Sequence, residues 1–457
     1  MKVYNSLNRR EEELKPLADN EIRFYTCGPT VYNFAHIGNF RAYTFEDILR
    51  RTIKFNGMKV KQVMNLTDVD DKTIRGANAA GVALSDYTKT YKDAFFADLA
   101  KLNIEPAEIY PAATDHIPEM IALVARLIEK GVAYRSDDGS VYFNVLKFPA
   151  YGRLAHIDFD NQRTGARCAS DEYDKENVGD FALWKAWEES DGPVGWDSPW
   201  GRGRPGWHIE CSAMSMKYLG ETFDLHTGGI DNLFPHHENE IAQAEAATGK
   251  PFVSTWMHCA HLKVNGEKMS KSLGNFFTLR DLIEKGWTGR EIRYVLVNAH
   301  YRQGLNFAFS ALEDARKSLE RIDRAVDALA ERIAPGEATP AFAAKALEDF
   351  TAAVNDDLNL PKAFAALFEL VRETNASLTR SQGVLDAFRR MDEVLGVIFF
   401  GKKEREEIPE DVSRLLAARA AARAGKNWAE SDRLRDEIAA KGWLVKDSKE
   451  GQSCTKK

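Results

Sequence analysis

The sequence predicts an α/β protein whose parallel, doubly wound sheet is split by an insertion and followed by helices. Three observations predict it. Residues 21–65 show a strand–helix–strand pattern, a second such region begins near residue 222, and residues beyond 305 carry helical periodicity. Strand, helix and strand in this order are typical of a parallel sheet, because a crossover between parallel strands needs a connection of helix length.

The first half of the predicted α/β domain is residues 1–114. Residues 22–27 form a short β-type run, and residues 40–55 place apolar side chains three and four positions apart, as on one face of a helix. Residues 58–66 then alternate apolar and polar side chains like a second strand. Together they form one β-α-β unit.

The middle of the chain has a different composition. Residues 132–148 predict a β-hairpin around Asp138 and Gly139, and residues 183–206 are rich in Trp, Gly and Pro. We therefore expect an inserted connective subdomain over residues 115–205 that interrupts the α/β domain.

The second half of the domain is predicted over residues 206–304. A β-type run at residues 222–226 leads into Gly228 and Gly229, and a helix is expected after Pro235. This half would complete the parallel sheet that the first half begins.

Helices are predicted from residue 305 onward. Residues 305–400 suit a helical bundle, and Ser310 with Glu313 matches a capping box at the start of its first helix. Residues 401–457 predict a small C-terminal domain of two short helices and a polar tail. An apolar stripe of the first helix indicates bundle core: Leu312, Ala315, Leu319, Ile322, Val326, Leu329 and Ile333.

The composition of the chain excludes several classes of protein. The 457 residues carry 62 Lys+Arg against 69 Asp+Glu, and 44% of them are hydrophobic, which excludes wholesale disorder and a uniformly basic RNA coat. No apolar run approaches the ~18–20 residues that span a bilayer, and no signal-peptide pattern begins the chain. We therefore expect a cytoplasmic protein without membrane attachment. The five cysteines are odd in number and widely spaced, so no disulfide framework is expected.

Two polar segments suit phosphate chemistry. The first, His36-Ile37-Gly38-Asn39, stands between the first strand and its helix, where backbone amides favour anions. The second, Lys268-Met269-Ser270-Lys271-Ser272, offers two cations and two hydroxyls in five residues. Taken singly, each has an ordinary alternative: a structural histidine at a helix start, and a solvated basic loop.

Together the two segments resemble the paired signatures of class I aminoacyl-tRNA synthetases, within residues 29–39 and 268–272. The resemblance is to the cysteinyl-tRNA synthetase family and covers almost the whole chain. It implies a Rossmann-type domain and a ligase that uses ATP to activate L-cysteine as cysteinyl-adenylate and transfers it to tRNA(Cys). Five further segments carry it: residues 26–33, 65–72, 180–185, 203–214 and 228–243.

The resemblance also implies one zinc ion that selects the substrate thiolate, with ligands Cys27, Cys211, His236 and Glu240. These residue types suit zinc, and His236 and Glu240 are an i, i+4 pair. The cysteines are 184 residues apart, so the residues alone leave the set open. His237 and Glu238 are expected to project to a different side. A metal that binds thiolate would separate cysteine from serine, and the insertion is smaller than expected of an editing domain.

The remaining site residues are likewise implied by the resemblance. His36, Gly38 and Asn39 would contact ATP phosphates, and Lys268 and Lys271, with Mg²⁺, would stabilise charge as pyrophosphate leaves. The other positions are Gly229 and Asp231 at the ribose, Thr30 at the adenylate, and Thr67 and Trp207 in the cysteine pocket.

Three other functions stay open at this point. A related ligase of mycothiol synthesis joins cysteine to an amino-sugar and needs no anticodon domain. A catalytically dead RNA-binding paralogue would not need intact signatures, and a structural zinc protein would leave both phosphate segments unexplained.

The chain is expected to act as a monomer. Its C-terminal residues carry the features that indicate an RNA partner. Residues 401–457 hold 14 basic and 11 acidic side chains, a local positive excess in an acidic chain. Such a local patch permits phosphate contacts. Candidates are Arg414, Arg419 and Arg423 for phosphates, and Trp428, Trp443 and Arg435 for the anticodon.

Overall fold

The computed structural model describes residues 1–157, 179–269, 274–402, 409–448 and 451–456. They fall into two compact units, residues 1–401 and residues 402–457. Cys168 and Lys271 lie outside the described residues.

The larger unit combines parallel and antiparallel strands with many helices. Its strands are Lys2–Asn5, Arg10–Glu13, Glu21–Thr26, Lys59–Met64, Ala133–Arg135, Val141–Phe143, Phe181–Ala186, Gly203–Pro205, Phe223–Gly229, Val253–Cys259, Leu262–Val264, Glu267–Lys268 and Leu305–Phe307. Its α-helices are Ile37–Phe55, Asp71–Ala80, Leu84–Lys101, Ile117–Glu129, Trp207–Leu219, Glu238–Thr248, Leu279–Glu284, Gly289–Val297, Phe309–Arg332, Ala341–Asn355, Leu360–Ser377 and Gln382–Leu395.

A four-stranded parallel sheet forms the centre of this unit, as the sequence predicts. Its order is Val253–Cys259, Phe223–Gly229, Glu21–Thr26 and Lys59–Met64, and every neighbouring pair is parallel. Strands from the two predicted halves are therefore direct neighbours. Because the carboxyl ends of parallel strands meet at one edge, this order brings together side chains that are distant in sequence.

The helix Ile37–Phe55 is buried along most of its length between the sheet and two other helices, Gly289–Val297 and Gln382–Leu395. Its buried polar groups are paired. Asp47 accepts from Arg51 at 2.8 Å and from Arg293 at 2.6 Å. Pairing of this kind offsets the cost of burying charge at the junction of sheet and bundle.

The insertion carries its own antiparallel sheet, in the order Ala133–Arg135, Val141–Phe143, Phe181–Ala186 and Gly203–Pro205. The predicted hairpin is present, and its turn uses Gly139 with φ +92°. That left-handed conformation favours glycine, which explains the Asp-Gly pair in the turn.

The bundle begins with the helix Phe309–Arg332, whose predicted stripe is buried from Leu312 to Leu329. The predicted capping box is wrong. The cap residue is Ala308, which makes no side-chain cap bond. The strand Leu305–Phe307 runs almost directly into the helix, so Ser310 already lies within its first turn.

The smaller unit contains the helices Glu410–Ala424 and Trp428–Ala440 and an antiparallel strand pair, Trp443–Ser448 with Gly451–Lys456. The tail is therefore paired where the sequence predicted only a polar end. Trp443 is buried in a small core with Val412 and Ile438, whereas Trp428 is 57% exposed. A base-stacking role consequently suits Trp428 and not Trp443.

The sequence predicts that Arg414, Arg419 and Arg423 can contact phosphates, and this prediction is wrong for Arg419. Its guanidinium is fully buried and donates to both carboxylate oxygens of Asp447, at 2.8 Å each. Arg423 also pairs with Asp447, at 3.2 Å, and Arg414 pairs with Glu410. Arg419 thus holds the helix to the strand pair and is not available to phosphates.

None of the described helices combines the length and the apolar character that a membrane span requires.

Candidate active site

A cluster of four side chains that could hold a metal ion lies at the carboxyl edge of the central sheet. Cys27 follows the strand Glu21–Thr26, Cys211 lies on the helix Trp207–Leu219, and His236 and Glu240 flank the start of the helix Glu238–Thr248. One ligand atom from each of the four lies within 4.8 Å of the others. Glu240 Oε1 stands 3.1 Å from His236 Nε2.

This donor set fits zinc. Zinc binds sulfur, imidazole nitrogen and carboxylate oxygen at about 2.0–2.3 Å, so its ligand atoms stand roughly 3–4 Å from one another. Cys211, His236 and Glu240 are at most 2% exposed, and Cys27 is half-buried. Two sulfurs, an imidazole and a carboxylate gathered in a buried place match what a tetrahedral zinc site requires.

The charges of the cluster also suit a cation. A hydrogen bond from the Cys27 thiol lowers the pKa of Cys211 to about 6. Burial alone would raise the pKa of Glu240, but the charges of His226 and His236 outweigh it and lower that pKa to about 2. Burial opposes protonation of His236, but the charges of Glu240 and Cys211 outweigh it and raise the pKa of His236 to about 10. Near neutral pH the cluster therefore presents a thiolate and a carboxylate around a proton on His236, which a bound cation would replace.

Two further histidines contact these residues, and one of them contradicts the sequence prediction. His237 was expected to point elsewhere, yet its Nε2 lies 3.3 Å from Cys27 Sγ. The reason is the position of Cys27, which lies within reach of two adjacent residues at the helix start, His236 and His237. Glu238 does point away, because its carboxylate accepts from the amides of Gly152 and Ala155 at 2.8 Å each.

The second histidine is His226, on the strand Phe223–Gly229. Its Nε2 lies 3.0 Å from Glu240 Oε2, the oxygen that His236 does not contact. With Cys27, His237 and Glu240, His226 forms a second group whose ligand atoms also lie within 4.8 Å of one another. Sequence reasoning missed His226; its only signal was a histidine three residues before Gly229 at the end of a strand.

The predicted cysteine-pocket residues are Trp207 and Thr67, and Trp207 contacts this cluster directly. The Trp207 ring stacks on His236 with centroids 4.2 Å apart, and Trp207 stays 44% exposed. Thr67 donates to Glu210 Oε2 at 2.7 Å and forms a parallel bridge with Thr30. The structure thus places Thr30 and Thr67 side by side.

Two glycines allow close backbone contacts next to the pocket. A Cβ added to Gly28 would stand 1.8 Å from the carbonyl oxygen of Asn65, and one added to Gly206 would stand 2.0 Å from that of Ala182. The Gly28 amide also donates to Asn65 Oδ1 at 2.9 Å. Any other residue at these two positions would displace the backbone that carries Cys27 or Trp207.

The two phosphate segments are neighbours. The backbone amide of Ile37 donates to the Phe277 carbonyl at 3.0 Å, and His36 forms an antiparallel bridge with Thr278. Met269 Cε lies 2.6 Å from where a Cβ on Gly38 would stand. The described part of the second segment therefore lies against the first. Lys268 is exposed, and Lys271 falls outside the described residues.

His36 and Asn39 bind each other in this structure. The Asn39 amide donates to His36 Nδ1 at 3.2 Å, and the His36 amide donates to Asn39 Oδ1 at 3.1 Å, which is a capping box. Burial lowers the pKa of His36 and the charge of Asp231 opposes that shift, so the imidazole is neutral near pH 7. Asp231 turns back toward Gly229, where an added Cβ would stand 2.4 Å from Asp231 Oδ1.

Comparison with known proteins decides the family. Residues 13–317 match the class I (C) catalytic domain of tRNA synthetases, residues 349–400 a DALR domain, and residues 405–454 the anticodon-binding domain of cysteinyl-tRNA ligases. The cysteine–tRNA ligase of Protochlamydia amoebophila is 52% identical over 99% of this chain and 97% of its own. The chain belongs to the cysteine–tRNA ligase family. The Chlamydia muridarum member is 47% identical over 99% of both chains.

Solved structures agree on the fold of this chain. Mycobacterium tuberculosis methionyl-tRNA synthetase in complex with methionyl-adenylate aligns with a TM-score of 0.59 at 16% identity, covering 83% of this chain and 90% of its own. LeuRS of Agrobacterium radiobacter, in a ternary complex, gives 0.58 at 12% identity, covering 84% of each chain. The predicted class I synthetase fold is therefore confirmed.

Proposed function

We propose that this chain activates L-cysteine with ATP to cysteinyl-adenylate and then transfers cysteine to the terminal adenosine of tRNA(Cys). The proposal includes one zinc ion held by Cys27, Cys211, His236 and Glu240. One observation carries it: four donor atoms suited to zinc lie within 4.8 Å of one another at the carboxyl edge of the sheet. In open α/β sheets this is the edge at which ligands bind.

The cluster would distinguish cysteine from serine. When bound there, zinc supplies a soft centre that takes the thiolate of cysteine and gains little from the hydroxyl of serine, which does not ionise near neutral pH. Glu240 and Cys211 favour the cation, since both are ionised at neutral pH. An apolar pocket alone would separate two substrates of such similar size poorly.

The residues around the cluster would hold the rest of the amino acid. Trp207 covers His236 and keeps nearly half of its surface exposed, which allows a small side chain to pack against it. Thr67 donates to Glu210 and accepts from Asn65 at 3.1 Å, which leaves one lone pair of its oxygen for a substrate donor. Thr30, bridged to Thr67, would contact the adenylate.

The phosphate segments would bind ATP. The start of the helix Ile37–Phe55 offers backbone amides, and Gly38 has no side chain to keep a phosphate away. Because His36 Nδ1 accepts from the Asn39 amide, the neutral ring carries its proton on Nε2 and can donate it to a phosphate oxygen without breaking that bond. Lys268 and Lys271, with Mg²⁺ on the nucleotide, would stabilise the leaving pyrophosphate, and Gly229 with Asp231 would hold the ribose.

The smaller unit supports tRNA as the acceptor in preference to an amino-sugar. Residues 405–454 match an anticodon-binding domain, which a ligase of mycothiol synthesis does not need. Trp428 is 57% exposed with the Arg423 guanidinium 5.6 Å from its ring, an arrangement suited to base stacking. We propose a cytoplasmic monomer whose partners are ATP, L-cysteine and tRNA(Cys).

The test is aminoacylation of tRNA(Cys) by the full chain, with cysteine and with serine, on transcripts with native and altered anticodons. We expect kcat/KM for cysteine to exceed that for serine by about 10⁴-fold. Altered anticodons should lower charging without changing ATP–pyrophosphate exchange, which needs no tRNA. Comparable use of serine would contradict the zinc-based selection, and charging that ignores the anticodon would contradict the tRNA assignment.

A further inference from the structure

A chain of hydrogen bonds runs from the zinc-site residue Cys27 to the N-terminal hairpin. Cys27 Sγ lies 3.3 Å from His237 Nε2, and His237 Nδ1 lies 2.9 Å from His258 Nε2. His258 Nδ1 then lies 2.8 Å from the hydroxyl oxygen of Ser6. His237 is fully buried and His258 is 5% exposed, so the protein itself supplies the partners of both rings.

The direction of these bonds follows from the chemistry at Cys27. With the proposed zinc bound, Cys27 gives up its proton and becomes a thiolate. A thiolate only accepts hydrogen bonds, so a bond to it requires the proton of His237 on Nε2. A neutral imidazole carries one ring proton, so His237 Nδ1 must accept from His258 Nε2. His258 Nδ1 must then accept in turn, and the Ser6 hydroxyl is left as the donor that ends the chain.

The position of Ser6 is fixed independently of the histidines. The hairpin Lys2–Asn5 and Arg10–Glu13 lies against the strand Val253–Cys259, on which His258 is located. The Ser6 amide donates to the Trp256 carbonyl at 2.8 Å, and the Trp256 amide donates to the Asn5 side chain at 3.1 Å. The Ser6 hydroxyl is therefore held in place by a backbone two residues from His258.

We propose that Ser6 is a positioning residue of the metal pocket, acting through His258 to hold His237 as an N–H donor to the Cys27 sulfur. This inference rests on the proposed zinc site. A hydrogen bond to a metal-binding thiolate orients it and reduces the electron density it gives to the metal, which leaves the ion more able to accept the thiolate of the substrate.

Removal of the Ser6 hydroxyl allows the opposite arrangement. His258 can then keep its proton on Nδ1, and its Nε2 can accept from His237 Nδ1. The lone pair of His237 Nε2 would face the negative sulfur of Cys27 across 3.3 Å. This contact is repulsive, so the ligand sulfur loses its support while the four ligands stay in the chain.

A competing interpretation makes His237 a metal ligand. Cys27, His226, His237 and Glu240 also gather ligand atoms within 4.8 Å, so a second ion could be held there. His237 Nε2 would then carry no proton. This alternative predicts two metal ions per chain, whereas our proposal predicts one.

The experiment compares the variant Ser6→Ala with Ser6→Thr, which keeps the hydroxyl, and with Ser254→Ala. Ser254 is an exposed hydroxyl residue on the strand that carries His258, so its removal serves as the matched control. Zinc-loaded full-length proteins are challenged with a chromogenic chelator, and cobalt-loaded proteins are examined for the thiolate-to-cobalt charge-transfer band. ATP–pyrophosphate exchange gives KM for cysteine and for ATP separately.

For Ser6→Ala we expect zinc loss to accelerate about 10-fold, because Cys27 loses the bond that orients it and faces a repulsive lone pair instead. The charge-transfer band should move to lower energy, because a sulfur without its hydrogen bond is the stronger electron donor. KM for cysteine should rise and KM for ATP should stay constant. Ser6→Thr and Ser254→Ala should match the unmodified chain in all three measurements.

Four results would overturn the proposal. The Ser6→Ala protein could be indistinguishable from the unmodified chain, or it could show equal changes in both KM values together with a lower Tm. Ser254→Ala could have an effect of the same size as Ser6→Ala, or the chain could bind two metal ions. Failure of the proposed function is recognised separately. An unmodified chain that binds no zinc and activates no cysteine contradicts the proposed function before any Ser6 variant is measured.

Discussion

The floor and the rim of the candidate active site are built differently. At the floor, Cys211, His236 and Glu240 are at most 2% exposed, and neighbouring histidines bond to the ligand side chains. At the rim, Lys268 is exposed and the His36 imidazole caps its helix by accepting from the Asn39 amide. The floor is thus preorganised by buried contacts, whereas the rim offers the exposed Lys268 and the Nε2 proton of His36 for the proposed bonds to phosphate.

The largest expected effect comes from removing a floor thiol, with Cys211→Ala. The variant should lose stoichiometric zinc, and cysteine-dependent ATP–pyrophosphate exchange should fall at least about 10³-fold, because a buried ligand set with one member missing holds the metal poorly. Metal analysis of the purified protein and exchange kinetics measure both.

Cys259→Ala is the matched control for that variant. Cys259 is also buried, at 2% exposure, but its sulfur contacts the carbonyl of Arg41 and belongs to neither metal-binding group. It should retain zinc and most of its activity. A Cys211→Ala protein that keeps a full zinc complement would show that the metal lies elsewhere.

A smaller effect is expected at the rim, with His36→Ala. Exchange should fall about 10²-fold through loss of the imidazole donor, and zinc content should be unchanged. Because His36 also caps the helix Ile37–Phe55, the same change should cost about 1 kcal/mol of stability.

The variant His36→Asn separates these two roles. Asparagine is a good helix cap and no imidazole, so it should restore the melting temperature and leave exchange slow. Recovery of both the stability and the rate would mean that the cap, and not a bond to ATP, explains the effect at this position.

The smallest effect on activity is expected at Glu46, which lies on the helix Ile37–Phe55 between the rim and the floor. Its carboxyl group accepts from Thr227, a residue of the strand Phe223–Gly229 that leads to the floor. Burial raises the pKa of Glu46 from 4.5 to about 8. The folded chain therefore keeps this proton between those values while the unfolded chain releases it, so stability falls as pH rises across that window.

Glu46→Gln should remove this contribution. The Tm of the variant relative to the unmodified chain should increase by about 5 °C between pH 5 and pH 8 and then level off. Thermal unfolding across that range measures it, with the exposed Glu284→Gln as control. A Tm difference that does not change with pH would contradict a buried, protonated Glu46.

The sequence predicted the parts of the molecule that depend on local pattern and composition. The strands and helix of the first β-α-β unit follow from residues 21–65, and the structure gathers Cys27, Cys211, His236 and Glu240 as the family resemblance implies. The sheet order that makes this possible is a simple consequence of parallel strands meeting at one edge.

The missed features depend on contacts between distant residues. His258 lies 252 residues from Ser6 in the chain, and no sequence pattern predicts a hydrogen bond between residues so far apart. The prediction for His237 was wrong because Cys27, 210 residues away in the chain, lies within reach of both His236 and His237. Arg419 suited an exposed phosphate face by pattern, but its partner Asp447 comes from a strand where only a polar tail was expected.

The tight backbone contacts at Gly28 and Gly206 have a consequence for engineering. A library that aims to charge tRNA with a cysteine analogue gains nothing from diversity at these two positions, because a single added carbon would stand about 2 Å from a backbone oxygen. Trp207, which stacks on His236 and is 44% exposed, is a position at which a smaller residue would make room for a larger substrate. Saturation mutagenesis of Trp207 is therefore the first library to select from.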